Sequence, residues 1–298
     1  MTIRMFISLL PVFSLGDAFD LYRANRVFVE DDRTPEVPYQ VSLQLARRSL
    51  HFCGGGALGD KWVITAAHCV DELVNNVTLV KVVADTRDLR LPGSTHYVKR
   101  IIIHKDYDPT DSWRNDIALL ELVEGFKDKG PLDYAKLPNP GQELLAGELA
   151  FSVGWSRPFK ESNRLTRMQG IDVEIVSRED CAKSYAVFGL GIYDTQICAY
   201  TPNHRKESCN GDSGGPLVAN SELVGLVSWA YGCGDRNFPT VYTRVSEYLT
   251  WIAANGFLNH LRPGGDSIDH SPGATYTEVL GDAPSRELHE STRPPEIP

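Results

Sequence analysis

The chain has 298 residues, 30 Lys and Arg against 39 Asp and Glu, a formal net charge of −9, six cysteines and 42% hydrophobic residues. That length suits one large or two moderate domains around a buried core. The acidic excess and the lack of a basic stripe exclude the phosphate-neutralising face of a nucleic-acid binder, so no nucleic-acid partner is expected.

Arg4 precedes an apolar stretch over residues 5–15, which is followed by the small residues Gly16 and Ala18. The stretch is too short to cross a bilayer, and its charged, apolar, small order is that of a secretory signal. Residues 1–18 are therefore read as a signal peptide cleaved near Gly16 or Ala18, and the protein as secreted. No later stretch is apolar for long enough to make a membrane helix, and no membrane partner is expected. Export permits disulfides, and six cysteines suit three bridges whose connectivity the spacing leaves open.

The middle of the chain predicts short strands over 39–45, 61–64, 77–83, 97–104, 116–122, 149–155, 171–176, 223–229 and 240–245. Most are rich in β-branched or aromatic residues and are separated by Gly, Pro, Asn and Asp, which points to antiparallel barrels or sandwiches. One helix closes the series. Ser246 is placed to cap it, Leu249, Ile252, Ala253 and Phe257 share a face, and Gly256 is placed to end it. Residues 263–298 hold six prolines, four glycines, two arginines and seven carboxylates. Sparse apolar surface cannot offset the entropy of ordering such a segment, so it reads as a disordered acidic tail.

Three stretches carry chemistry. The first is Thr65-Ala66-Ala67-His68-Cys69, sixteen residues after Cys53, which itself precedes Gly54-Gly55-Gly56. A bridge between Cys53 and Cys69 would close a short loop, contribute about 3 kcal/mol in the loop-entropy model, and fix the turn that bears His68. The second is Arg114-Asn115-Asp116-Ile117-Ala118-Leu119-Leu120, an acid at the mouth of an apolar strand. The third, Glu207-Ser208-Cys209-Asn210-Gly211-Asp212-Ser213-Gly214-Gly215-Pro216, surrounds one hydroxyl with residues that fold tightly and turn backbone amides outward, as an oxyanion requires. Gly211-x-Ser213-x-Gly215 also matches the nucleophile elbow of α/β-hydrolases. That reading needs a helix directly after Ser213 and a later acid and histidine. Pro216 and two strands follow instead, and the later candidates, Asp235 and His260, lie in a turn and at a helix end.

Together with residues 38–43, Ser228-Trp229 and Val241-Tyr242-Thr243, these stretches resemble the trypsin and chymotrypsin family of serine proteases over roughly residues 27–261. The resemblance implies an all-β fold of two packed antiparallel six-stranded barrels with a C-terminal helix, and an active site in the cleft between them. It assigns residues 27–262 to the protease domain and 19–26 to a short propeptide, and it selects the pairings Cys53–Cys69, Cys181–Cys198 and Cys209–Cys233. By the same resemblance Ser213 is the nucleophile, His68 the proton carrier and Asp116 its partner, with the amides of Gly211 and Ser213 as oxyanion donors. Ser228 supports Asp116, the 228–230 stretch with Trp229 pairs with substrate backbone, and Trp113 overhangs the neighbouring subsite.

The activation segment departs from the family pattern. Arg26 offers the cleavage point and Val27 the new N-terminus that would pair with Asp212, but Phe28, Val29 and Glu30 replace a glycine-bearing segment. Glu207 stands where trypsin-like members carry the aspartate that selects Lys or Arg, and Ala230 and Thr240 replace wall glycines. These changes predict a narrowed pocket, unselective cleavage after small or medium side chains, and Lys over Arg in any basic activity. The implied activity is a secreted, zymogen-derived serine endopeptidase acting on polypeptides. The alternative is a protease-fold binding or inhibitory protein that never matures into an enzyme. Asn76-Val77-Thr78 is an acceptor for N-glycosylation. No zinc spacing and no run of acidic calcium ligands after Asp85 is seen, so no metal and no cofactor is expected. A monomer, with polypeptide substrates and protein inhibitors as partners, completes the reading.

Overall fold

Alternating burial makes the strands. Along Ser94–Ile103, for example, His96 and Val98 point inward while Thr95, Tyr97 and Lys99 face solvent, the period of two expected of a strand with one wet face. The computed structural model describes residues 37–126, 133–155, 166–201, 213–232 and 237–257. Six strands, β1 (Gln40–Leu45), β2 (Leu50–Gly59), β3 (Trp62–Thr65), β4 (Val80–Ala84), β5 (Ser94–Ile103) and β6 (Ala118–Leu122), close into a barrel in the order β1-β2-β3-β6-β5-β4. Six more, β7 (Leu149–Gly154), β8 (Gln169–Val176), β9 (Gln196–Tyr200), β10 (Pro216–Ala219), β11 (Glu222–Trp229) and β12 (Thr240–Arg244), close a second barrel in the order β10-β11-β12-β9-β8-β7. Every pairing is antiparallel. Among the described residues two α-helices are added, α1 (Arg178–Tyr185) and α2 (Leu249–Ile252), the latter continuing as a π turn over Ala253–Phe257.

The all-β expectation of two six-stranded barrels and a C-terminal helix holds, with local corrections. The expected strand over 77–83 begins only at Val80, because Val77–Leu79 form a 3-10 turn. Ser246 does not cap α2. It lies in the 3-10 turn Val245–Glu247, its hydroxyl donating to Gln142 O at 2.9 Å. Gly256 does not end the helix, since the π turn runs through it to Phe257.

The segment between the barrels is pinned to both. Ala135 N donates to Ala57 O in β2, and Leu223 N in β11 donates to Lys136 O, each at 2.8 Å. The buried Arg244 does more. Its guanidinium donates to Gly141 O at 3.0 Å, to Gln142 O at 3.0 and 3.2 Å and to Asp194 O at 3.2 Å, and it pairs with Glu143 at 3.1 Å. One planar fork thus satisfies three backbone carbonyls, which a single hydrophobic residue could not do. The apolar core runs on from Leu43, Ile64, Leu119 and Leu120 of the first barrel to Leu223, Leu226, Val245 and Ile252, so the barrels share packing and do not merely abut.

Arg244→Met keeps the volume and removes the fork. It is expected to lower the unfolding free energy by about 3 kcal/mol, read as a lower urea midpoint at unchanged slope. An unchanged midpoint would contradict the anchoring role.

Candidate active site

Two buried alanines, Ala66 and Ala67, lead from β3 into the 3-10 turn Ala67–Cys69 that carries His68. The Cys53–Cys69 disulfide ties that turn to β2. Asp116 arrives from the loop before β6 and is only 1% exposed. A carboxylate so far from water is tolerable only if its lone pairs are used, and they are. Oδ1 accepts from His68 N at 2.9 Å. Oδ2 accepts from His68 Nδ1 at 2.7 Å and from Ser228 Oγ at 2.5 Å. Its backbone carbonyl accepts from Thr243 Oγ1 at 2.7 Å.

These contacts dictate a protonation pattern. An acceptor against Nδ1 keeps the proton there, which leaves Nε2 as the free base. Burial pushes the His68 imidazole toward neutrality. The charge of Asp116 and its hydrogen bond, with Asp71 adding, outweigh that, so the imidazole titrates above its ordinary value. Ser228 reaches Asp116 because the β11–β12 register slips between Val227 and Trp229, a bulge that re-aims one side chain.

The turn that carries Ser213 is tied by its backbone to β2 and β11. Gly54 N donates to Ser213 O at 2.8 Å, and Gly214 N donates to Val227 O at 2.8 Å. Gly214 has φ +73°, and a Cβ there would lie 2.2 Å from Thr65 Oγ1 and 3.1 Å from Ala66 N. A Cβ on Gly54 would lie 2.9 Å from Gly215 Cα. Only glycines allow the serine turn to sit so close to the histidine segment.

The 27–252 stretch of the chain matches the trypsin family model. The chain belongs to the trypsin family. It is 38% identical to trypsin Blo t 3 of Blomia tropicalis over 74% of this chain and 82% of the relative. It is 37% identical to trypsin 5G1 of Aedes aegypti, over 73% of this chain and 79% of the relative, and 35% identical to a trypsin of Phaedon cochleariae, over 73% and 83%. This trypsin-family chain is a serine-type endopeptidase, and its substrates are polypeptides.

The second disulfide, Cys181–Cys198, joins α1 to β9. Cys209 and Cys233 of the third expected bridge lie outside the described residues, as do Glu207, Gly211, Asp212, Arg26 and Val27. Of the expected substrate-facing residues, Ser228 and Trp229 close β11, Ala230 follows exposed, and Thr240 is buried at the start of β12, beside the Trp229–Val241 pairing. Trp229 packs edge-on to Tyr185 at 4.6 Å and beneath Trp113 at 5.7 Å. Thr243, which the Val241-Tyr242-Thr243 motif contained without revealing its contact, also bonds to Asp116, and the loop before Asp116 carries a Ser112–Gln196 hydrogen bond that no motif marked. Among the described residues one grouping of potential metal ligands occurs, Cys53, His68 and Cys69. Both sulfurs are in a disulfide and offer no thiolate, so the set does not fit a metal.

The His68 ring should therefore titrate above about 6.5 when followed by NMR. In Asp116→Asn the raising carboxylate is gone and burial remains, so the titration is expected to move below that value. An unchanged midpoint would show that Asp116 does not govern the imidazole.

Proposed function

We propose that this endopeptidase works through Ser213, His68 and Asp116 by an acyl-enzyme. Ser213 Oγ attacks the substrate carbonyl carbon while His68 Nε2 takes the hydroxyl proton and the carbonyl π pair moves onto oxygen. The amides of Gly211 and Ser213 hold that oxyanion, each such donor lowering the barrier by about 3 kcal/mol. Collapse of the intermediate expels the amine, which takes the proton from Nε2. Water repeats the sequence to free Ser213. Asp116 stays ionised and steadies the imidazolium that forms twice in the cycle. The observation that carries this reading is the fully engaged Asp116, with both carboxylate oxygens on His68 and a further bond from Ser228. The relatives reported above are all named trypsins, and none favours the non-catalytic alternative.

The family match begins at Val27, directly after Arg26, which supports secretion as a zymogen and activation at that bond, with the new Val27 ammonium pairing with Asp212. Among the described residues no helix is long and apolar enough to cross a membrane. Asn76 is exposed, its side chain accepting from Thr78 Oγ1 at 2.7 Å, which suits glycan attachment. The enzyme acts as a monomer open to protein inhibitors. Glu207, Ala230 and Thr240 narrow the primary pocket, so cleavage is weak and unselective after small or medium side chains, with Lys preferred to Arg.

Ser213→Ala is expected to lower kcat by several orders of magnitude in a unit that acts together, while retention of most activity would sink the assignment. N-terminal sequencing of active material should return Val27. A full-strength signal from the uncut chain would show a different activation route. A peptide library varied only at the residue before the cleaved bond should lack an Arg optimum, and efficient Arg-preferring cleavage would return the pocket to ordinary trypsin-like selection.

A further inference from the structure

The loop before Asp116 is strained. Ser112, Trp113 and Asn115 all have left-handed backbone, with φ of 51°, 50° and 57°. Asn adopts this region readily, but a bulky indole residue does so only where its surroundings over-determine it. The restraint comes from the segment between α1 and β9 and from the first residue of β9. Gly191 N donates to Ser112 Oγ at 3.0 Å, and Gln196 Nε2 donates to Ser112 O at 2.8 Å. The same Gln196 accepts from Tyr193 N through Oε1 at 3.0 Å. Tyr193 Oη in turn donates to Asp111, and the Arg114 guanidinium lies 5.4 Å from the Tyr193 ring centroid.

Ser112 and Gln196 are themselves 3% and 5% exposed. Both polar ends of the Gln196 amide are used, one on each side of the barrel boundary. The consequence is the placement of Trp113, whose ring lies stacked over Trp229 at 5.7 Å and 28°.

We propose that Ser112 and Gln196 form an inter-barrel latch that positions Trp113 and thereby sets how large a residue the enzyme accepts second before the cleaved bond. They are positioning residues, not catalytic ones. The proposal rests on the reading that Trp113 borders that subsite. It does not pass through Asp116, because Asp116 has anchors of its own on His68, Ser228 and Thr243, and Asn115 is tied separately by Tyr248 Oη at 3.0 Å and to Asp106 O at 2.7 Å. Loosening the latch releases the strained indole and leaves the histidine partner in place.

The test is a double-mutant cycle on the activated enzyme, reading kcat/KM for peptides with a small or a large residue second before the cleaved bond. Gln196→Leu, and independently Ser112→Ala in case the first variant fails to fold, should raise the large-to-small ratio about tenfold, the scale on which one pocket contact discriminates. Ser213 labelling by a small phosphonate should proceed at the parent rate in both. In a Trp113→Ala background neither change should shift the ratio further. A ratio unchanged by loss of the latch, or a shift that persists without Trp113, would overturn the latch. If Trp113→Ala alone leaves the ratio unchanged while Ser213 still labels, the subsite reading falls and the latch with it, but the catalytic reading stands.

Discussion

One buried carboxylate organises this protein. Asp116 is almost completely removed from water, and a charge in that position is strongly destabilising unless donors surround it. The carboxylate's donors come from both barrels, His68 from the turn after β3 and Ser228 from β11, while Thr243 of β12 donates to the Asp116 backbone carbonyl. Docking of the barrels and completion of the hydrogen-bond shell of Asp116 are therefore the same event. A chain in which the barrels separated would leave Asp116 without its bonds from Ser228 and Thr243.

Other features of the fold serve that joint. The inter-barrel segment is held by Ala57, Leu223 and Arg244, which limits how far the barrels slide. A register slip in the β11–β12 pairing turns Ser228 toward the carboxylate. Two glycines, Gly54 in β2 and Gly214 beside Ser213, let the serine turn pack against β2 and the Thr65-Ala66 segment that leads to His68. Together these contacts fix a geometry that tolerates little error, because proton transfer requires heavy atoms within hydrogen-bond reach.

Much of this was legible from sequence. The strands rich in Val and Ile announced themselves by composition, and the contexts of His68, Asp116 and Ser213 carried the chemistry. What failed did so for local physical reasons. The β2 strand was hidden because three successive glycines weaken a strand pattern, whereas Gly54 and Gly55 are glycine so that the backbone of Gly215 and Ile64 can approach. Helix α1 is short and polar, burying only Cys181 and Tyr185, so no apolar period marked it. Its one readable signal was Ser177, which accepts from Asp180 N at 3.1 Å. Ser246 looked like a cap, but the Gln142 carbonyl and the buried Arg244 claimed its hydroxyl. The link from Gln196 to Ser112 spans 84 positions, and no local pattern encodes a contact that only the closed barrels create.

The most direct test of the joint is a crystal structure of the activated enzyme carrying a phosphonate on its nucleophile. The account predicts phosphorus bonded to Ser213 Oγ, the phosphoryl oxygen facing the amides of Gly211 and Ser213, and Asp116 still bonded at once to His68 Nδ1 and Ser228 Oγ. A label on another residue, or an Asp116 carboxylate turned away from either partner in the labelled enzyme, would contradict it.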